Sequence, residues 1–303
     1  MTFPFKTQVG FLCLGTLIAA VGCSTPSAIE LIEADSFALN QLRGLGKPIL
    51  SASQIVDRAQ ANGKLRETSN DLPIFSFMRK VNISKPSDNN STKKIQTKTY
   101  LAYTNNRDQT LIKVNGRNPT LKETEEDREN NRKRQRRFLE RNSKKGSEKI
   151  MSNNMDLYNE KFIPHLIGTE MIGGRPAYLI QLMPDTNHQI KNSTVDRIMN
   201  QMLAKLWVDQ EDFQVSQIEA KLIKPIGIVV GLVGSIKNIQ IQLKQKRLTP
   251  QVWADLSIDA DFDVRILTAN FNFRMKSQSS GFKPVKAGKF SRNDYKPGPR
   301  NNQ

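Results

Sequence analysis

Histidine and cysteine are almost missing from this chain. His165, His188, Cys13 and Cys23 are the only ones in 303 residues. Neither histidine has a metal-ligand partner at helical spacing, so the usual zinc sites are not expected. The sequence also lacks a G-x-S-x-G elbow, a P-loop and a dinucleotide-binding fingerprint. These absences remove the common routes to nucleophilic, nucleotide-dependent and metal-assisted catalysis. We therefore expect no enzyme, no catalytic residues, no cofactor and no metal. Asp259, Asp261 and Asp263 share one strand face, but without an EF-hand loop a solvated face is the expected reading. Long apolar runs are scarce as well. The N-terminal run over residues 9–20 contains Gly and Thr and falls short of the roughly 20 apolar residues that span a bilayer.

That short run is informative in another way. Lys6 precedes it, Phe11, Leu12, Leu14, Leu17 and Ile18 fill it, and Ala20-Val21-Gly22-Cys23 closes it. A positive start, a short apolar centre and small residues at the end describe a secretory signal peptide over residues 1–22. A small residue followed by cysteine resembles the lipobox of bacterial lipoproteins, although Ala20 stands where that pattern usually has leucine. The resemblance implies acylation of Cys23 and a lipid anchor. Ordinary cleavage after Gly22 or Ala28 would instead release a soluble periplasmic protein. Cys13 leaves with the signal, so no disulfide is expected.

The formal charge is +17, from 46 Lys and Arg against 29 Asp and Glu, and becomes +16 without Lys6. In an exported protein the available polyanions are phospholipid head groups, lipopolysaccharide and wall polymers rather than nucleic acid. Each Lys or Arg near an anionic membrane surface contributes about 1 kcal/mol.

Residues 23–48 read as a tether. Ser51 or Ser53 can cap a helix reaching about Glu67, with Ile55, Val56, Ala59 and Leu65 as its apolar stripe. Strands are expected over 75–85, 94–104 and 110–114, with Asn115-Gly116 as a tight turn. Thr120 and Glu123 then form a capping box for a charged helix over about 120–149. Leu121, Phe138 and Leu139 are its only apolar residues, so it should lie in solvent or on a surface. Strands over 162–172 and 176–183 flank Gly173-Gly174. A short helix should hold Ile198, Met199, Met202 and Leu203, followed by a hairpin of 206–208 with 213–223. In the C-terminal third, Ile258, Ala260, Phe262 and Val264 alternate with Asp259, Asp261 and Asp263. After a phase shift at Leu267, Phe271, Phe273 and Met275 alternate with Asn272, Arg274 and Lys276. Such period-2 patterning describes antiparallel strands with one wet and one dry face. Residues 283–303 read as a disordered basic tail.

Several of these pieces occur in an order that resembles the bacterial outer-membrane lipoprotein-sorting carriers (LolA/LolB-like). They are Val114-Asn115-Gly116, Ile167-Gly168-Thr169-Glu170, Gly174-Arg175-Pro176-Ala177-Tyr178, and Lys205-Leu206-Trp207-Val208-Asp209. The resemblance covers residues 100–280. It implies an α+β, mainly antiparallel fold over residues 49–282, a half-open curved sheet or barrel with a helical lid. The long charged helix over 120–149 would be an addition to that fold. It also implies that an apolar concavity shelters lipid or lipoprotein acyl chains. Ser24 after Cys23 resembles lipoproteins sent to the outer membrane.

For that concavity the sequence offers Trp207, Trp253, Met199, Met202 and the Gly-dotted apolar segment holding Ile226, Ile228, Val230 and Leu232. Each has a plainer reading as core, and 225–234 reads first as a buried strand or bend and otherwise as a flexible apolar lip where an acyl chain slides in. The rival function is a structural envelope protein that binds anionic polymer or a membrane surface through the basic helix and tail.

Overall fold

Alternation of apolar and polar residues over strand after strand calls for one broad sheet with two unlike faces. A computed structural model describes residues 50–68, 72–85, 94–104, 106–143, 162–185, 194–229, 233–267 and 269–285. Cys23, the tether, Val230, Leu232 and nearly all of the basic tail lie outside them. So do residues 144–149 of the expected charged helix.

The chain forms α1 (Ala52–Thr68), β1 (Phe75–Lys85), β2 (Lys94–Tyr103), β3 (Asn106–Val114) and α2 (Leu121–Ser143). It continues with β4 (Phe162–Ile172), β5 (Arg175–Pro184), α3 (Thr194–Met199), β6 (Met202–Asp209) and β7 (Val215–Leu222). The last described elements are β8 (Ile226–Val229), β9 (Val233–Arg247), β10 (Trp253–Ile266) and β11 (Ala269–Pro284). All 11 strands among the described residues belong to one antiparallel sheet, ordered β3-β2-β1-β11-β10-β9-β7-β6-β5-β4, with β8 paired beside β7 on the edge of β9. The sheet is open, with β3 and β4 at its two ends.

Local chemistry explains the corners. Asn115 (φ 50) and Gly116 (φ 84) make one turn, and Gly173 (φ 58) with Gly174 (φ 81) makes another. Positive φ at both central residues is the turn that matches strand twist. Leu267, where the alternation changes phase, also has positive φ (54) in the turn between β10 and β11. Both long helices begin with reciprocal caps. The Gln54 N–H donates to Ser51 Oγ and the Ser51 N–H to Gln54 Oε1. Glu123 and Thr120 do the same at α2.

Several boundaries differ from the sequence reading. The third strand begins at Asn106, and β10 and β11 are longer at both outer ends. β11 runs to Pro284, and the Val285 N–H donates to the Ile74 carbonyl. The short helix stops at Met199, because the chain turns there (Gln201 N–H to Ile198 O, 3.0 Å) and Met202 opens β6. Leu65 is exposed and does not join the stripe of α1. The polar side chains Asn62 and Arg66 carry that stripe onward, donating to Asp212 O and Gln214 Oε1.

Candidate functional site: the inner face of the sheet

Residues paired across neighbouring strands share a face, so the register sorts the whole sheet. One row runs Val81, Ser277, Ile258, Leu243, Ile218, Leu206 across β1, β11, β10, β9, β7 and β6. The next runs Ile83, Met275, Ala260, Ile241, Ala220, Ala204. On the opposite face one row reads Asn82, Lys276, Asp259, Gln242, Glu219, Lys205. One face is therefore almost wholly apolar through its centre and the other charged and amide-bearing.

Both long helices sit on the apolar face. Ile55 and Val56 of α1 pack on Leu166, Tyr178, Ile180 and Val208 near the β4 end. At the other end α2 lies against β3, with buried Asp127 accepting from Tyr100 Oη and Lys98 Nζ, each at 3.0 Å. A helix expected to stay outside the core is thus keyed to the sheet by one buried carboxylate. Over the middle of β9 and β10, Ile198 of α3 and Ile226 of β8 close on Ile239, Ile241, Ala260 and Phe262. Arg197 of α3 donates to the Gly227 carbonyl (3.0 Å), tying α3 to β8. Between these covers Val81, Ile83, Ile218 and Phe273 form a half-buried apolar wall over Leu243, Ile258 and Met275.

One margin of this face is polar. Arg66 Nη1 donates to Gln214 Oε1 (2.5 Å), Gln214 Nε2 to Gln245 Oε1 (3.1 Å), and Gln245 Nε2 to Asp255 Oδ1 (3.2 Å). Arg79 Nη2 ends the chain 3.5 Å from Asp255 Oδ2. Burial pushes the Arg66 guanidinium below its ordinary value, with Asp212 opposing that shift. Arg79 stands on the apolar phase of β1, between Phe77 and Val81, and its guanidinium lies 5.3 Å from the Phe77 ring centroid.

The expected site residues fall in different places. Met202 and Ile226 join the inner apolar cluster, and Met199 packs with Phe162 and Leu182. Ile228 lies in β8. Trp207 is on the other face, packed with Ala177 and Leu179, its indole N–H donating to Glu170 Oε2 (2.8 Å). The parity of β6 puts Trp207 opposite Leu206 and Val208. Trp253 sits at the start of β10 and donates to Asp212 Oδ2 (3.1 Å). Sequence reasoning overlooked Arg79 and Asp127. A cation on the dry phase of a strand was a readable signal for Arg79, whereas Asp127 is one acid among many.

Gly174-Arg175-Pro176 and Val208-Asp209 meet in a structural clamp. Asp209, buried, accepts from Arg175 Nε (2.6 Å), Arg175 Nη2 (2.8 Å) and the backbone N–H groups of Glu211 and Asp212. Burial opposes its ionisation, yet these donors hold its carboxyl below the usual range. On the outer face Asp259 pairs with Lys276 (2.8 Å) and Arg274 (3.5 Å). Among the described residues no group of three His, Cys, Asp or Glu is placed to hold a metal, and no helix is long and apolar enough to cross a membrane.

No family model and no curated protein matches this chain. Solved structures similar to it include a LolA superfamily protein from Nitrosomonas europaea, at 11% identity and TM-score 0.28, covering 78% of this chain and 95% of that one. A DUF1329 family protein from Desulfovibrio piger gives 8% and 0.30, covering 80% and 96%. A putative outer membrane lipoprotein-sorting protein domain from Vibrio parahaemolyticus gives 10% and 0.27, covering 79% and 96%.

Proposed function

We propose that this is a non-catalytic envelope protein that shelters an acyl chain, of a lipid or a lipoprotein, on the inner face of its sheet. A signal peptide over residues 1–22 exports it, and acylated Cys23 holds it at the outer membrane. The observation that carries the reading is the half-buried wall of Val81, Ile83, Ile218 and Phe273, lying between helices that pack at the two ends of an open sheet. Removing apolar surface from water is worth about 0.8 kcal/mol per methylene. Ten sheltered methylenes supply about 8 kcal/mol, the scale of micromolar affinity, without any polar contact.

The test is mass spectrometry of protein purified from its native envelope, together with titration of a fluorescent fatty acid. Co-purifying acyl chains, and a Phe273→Glu variant that binds the probe at least tenfold more weakly while Gln240→Glu on the outer face binds normally, support the reading. Protein that carries no acyl chain and ignores the probe, yet sediments with anionic vesicles, removes the carrier and leaves a surface-binding scaffold.

A further inference from the structure

Arg79 is out of place. Along β1 the inner-face positions are Phe77, Arg79, Val81 and Ile83, so one cation interrupts an apolar series. Its partners across the ladder are Ser279 of β11 and Tyr100 of β2, and Tyr100 already spends its hydroxyl on Asp127. The Arg79 Nε–H is enclosed and meets no acceptor among the described residues. Its ion pair with Asp255 is loose, at 3.5 Å, and that carboxylate also accepts from Gln245. The side chain is not sealed, for 26% of it remains open. A guanidinium has five N–H donors and its planar edge matches a carboxylate or phosphate. An enclosed donor with no acceptor is costly to keep, so its retention beside an apolar wall needs a use.

We infer that Arg79 receives the anionic head group of a single-chain amphiphile whose tail lies along Val81, Ile83 and Phe273. This deepens the acyl-sheltering function and rests on it. A carboxylate or a phosphate monoester has the same chemistry here: a compact acceptor accepting from Nη and, after a small rotation of the side chain, from Nε. Asp255 then acts as the resting counter-ion that the incoming head group displaces.

The experiment compares palmitate, 1-hexadecanol and a lysophosphatidate of equal chain length as competitors for a fluorescent fatty acid, with inorganic phosphate as a fourth arm. The wild-type protein should bind the two anionic amphiphiles about tenfold more tightly than the alcohol, the ratio expected of one charge-assisted contact. Arg79→Gln should erase that ratio while leaving hexadecanol binding within about twofold, and Asp255→Asn should enlarge it. Circular dichroism melting checks that both variants fold, and Asp255→Asn still reads out if Arg79→Gln does not. Equal ratios in wild type and variants, or displacement by inorganic phosphate alone, overturn the assignment to Arg79 and leave acyl sheltering standing. Failure of every amphiphile to bind, hexadecanol included, overturns both.

Discussion

Lys98 Nζ lies 3.0 Å from Asp127 Oδ1, and the same carboxyl oxygen accepts from Tyr100 Oη at 3.0 Å. That is how a helix with almost no apolar residues is held on the apolar face of a sheet. Asp127 Oδ2 adds a contact to Asn131 Nδ2 (3.4 Å), whose amide also reaches the Gln109 carbonyl. With Asp127 at 5% side-chain exposure and Lys98 at 19%, the pair is nearly dry. Removing one partner of such a pair strands the other.

Asp127→Ala should therefore destabilise the attachment of α2 by about 3 kcal/mol. Asp127→Asn keeps an acceptor for Tyr100 and should lose less. Hydrogen exchange of the amides over residues 121–133 is the measurement, because release of the helix should accelerate them without unfolding β4 to β7. Unchanged protection in Asp127→Ala would show that the carboxylate does not anchor the helix.

Gly234 provides a second prediction. Its ideal Cβ would stand 2.7 Å from the Arg265 carbonyl oxygen, a backbone atom with nowhere to retreat, where β9 passes close to β10. Gly234→Ala should lower stability by about 1–3 kcal/mol. Gly227, across the β8–β9 pairing, faces open space, so Gly227→Ala should stay within about 0.5 kcal/mol. Urea unfolding midpoints of the two variants decide the matter, and equal midpoints would remove close approach as the reason for glycine at 234.

How much of this was legible follows from what each residue type can encode. The turns at Asn115-Gly116 and Gly173-Gly174, both caps, and the alternation around Asp259 to Val264 are local, and local chemistry writes them openly. The ends of β9, β10 and β11 were harder, because Ser277 and Ser279 occupy the dry phase and hide the period. The side of Trp207 was readable in principle from the parity of β6. Its bulk instead favoured the hollow in the sequence reading, where the register assigns it to Glu170 and the outer face. The key role of Asp127 had no local signature, since it depends on a strand twenty-nine residues earlier. The segment around Gly234 was legible as apolar and glycine-bearing, but the need for glycine comes from Arg265, remote in sequence.

The clamp between Arg175 and Asp209 predicts a stability effect far from the apolar wall. Asp209 has 2% side-chain exposure, against 25% for Arg175. Asp209→Ala should cost about 3 kcal/mol, through the lost two-pronged contact with Arg175, which keeps Glu211 at 2.8 Å, and the orphaned turn amides of Glu211 and Asp212. Arg175→Lys should cost less than Asp209→Ala while losing the two-pronged contact. Thermal melts check both, and acyl binding per folded molecule should stay unchanged, since neither residue lies on the inner wall.

Acid titration tests the start of α2. The Arg117 guanidinium, and then the Thr120 N–H, hold the Glu123 carboxyl down to about 2, against an ordinary 4.5. Because the folded value is the lower one, the stabilising contribution is complete above about pH 4.5. It declines as pH falls from there toward 2, where the protonated carboxyl loses its ion pair with Arg117 and the charge assistance of its hydrogen bond from the Thr120 N–H. Helical circular dichroism followed from pH 6 to 2 should show a loss in that window, of which Glu123→Gln has already suffered the charge-dependent share at pH 6, its amide oxygen still accepting from the Thr120 N–H as Gln54 accepts from Ser51. High salt should reduce the Arg117 share and spare the Thr120 hydrogen bonds, because only the former is an exposed ion pair. A Glu123→Gln protein with the same acid profile as wild type would assign the loss to other carboxylates.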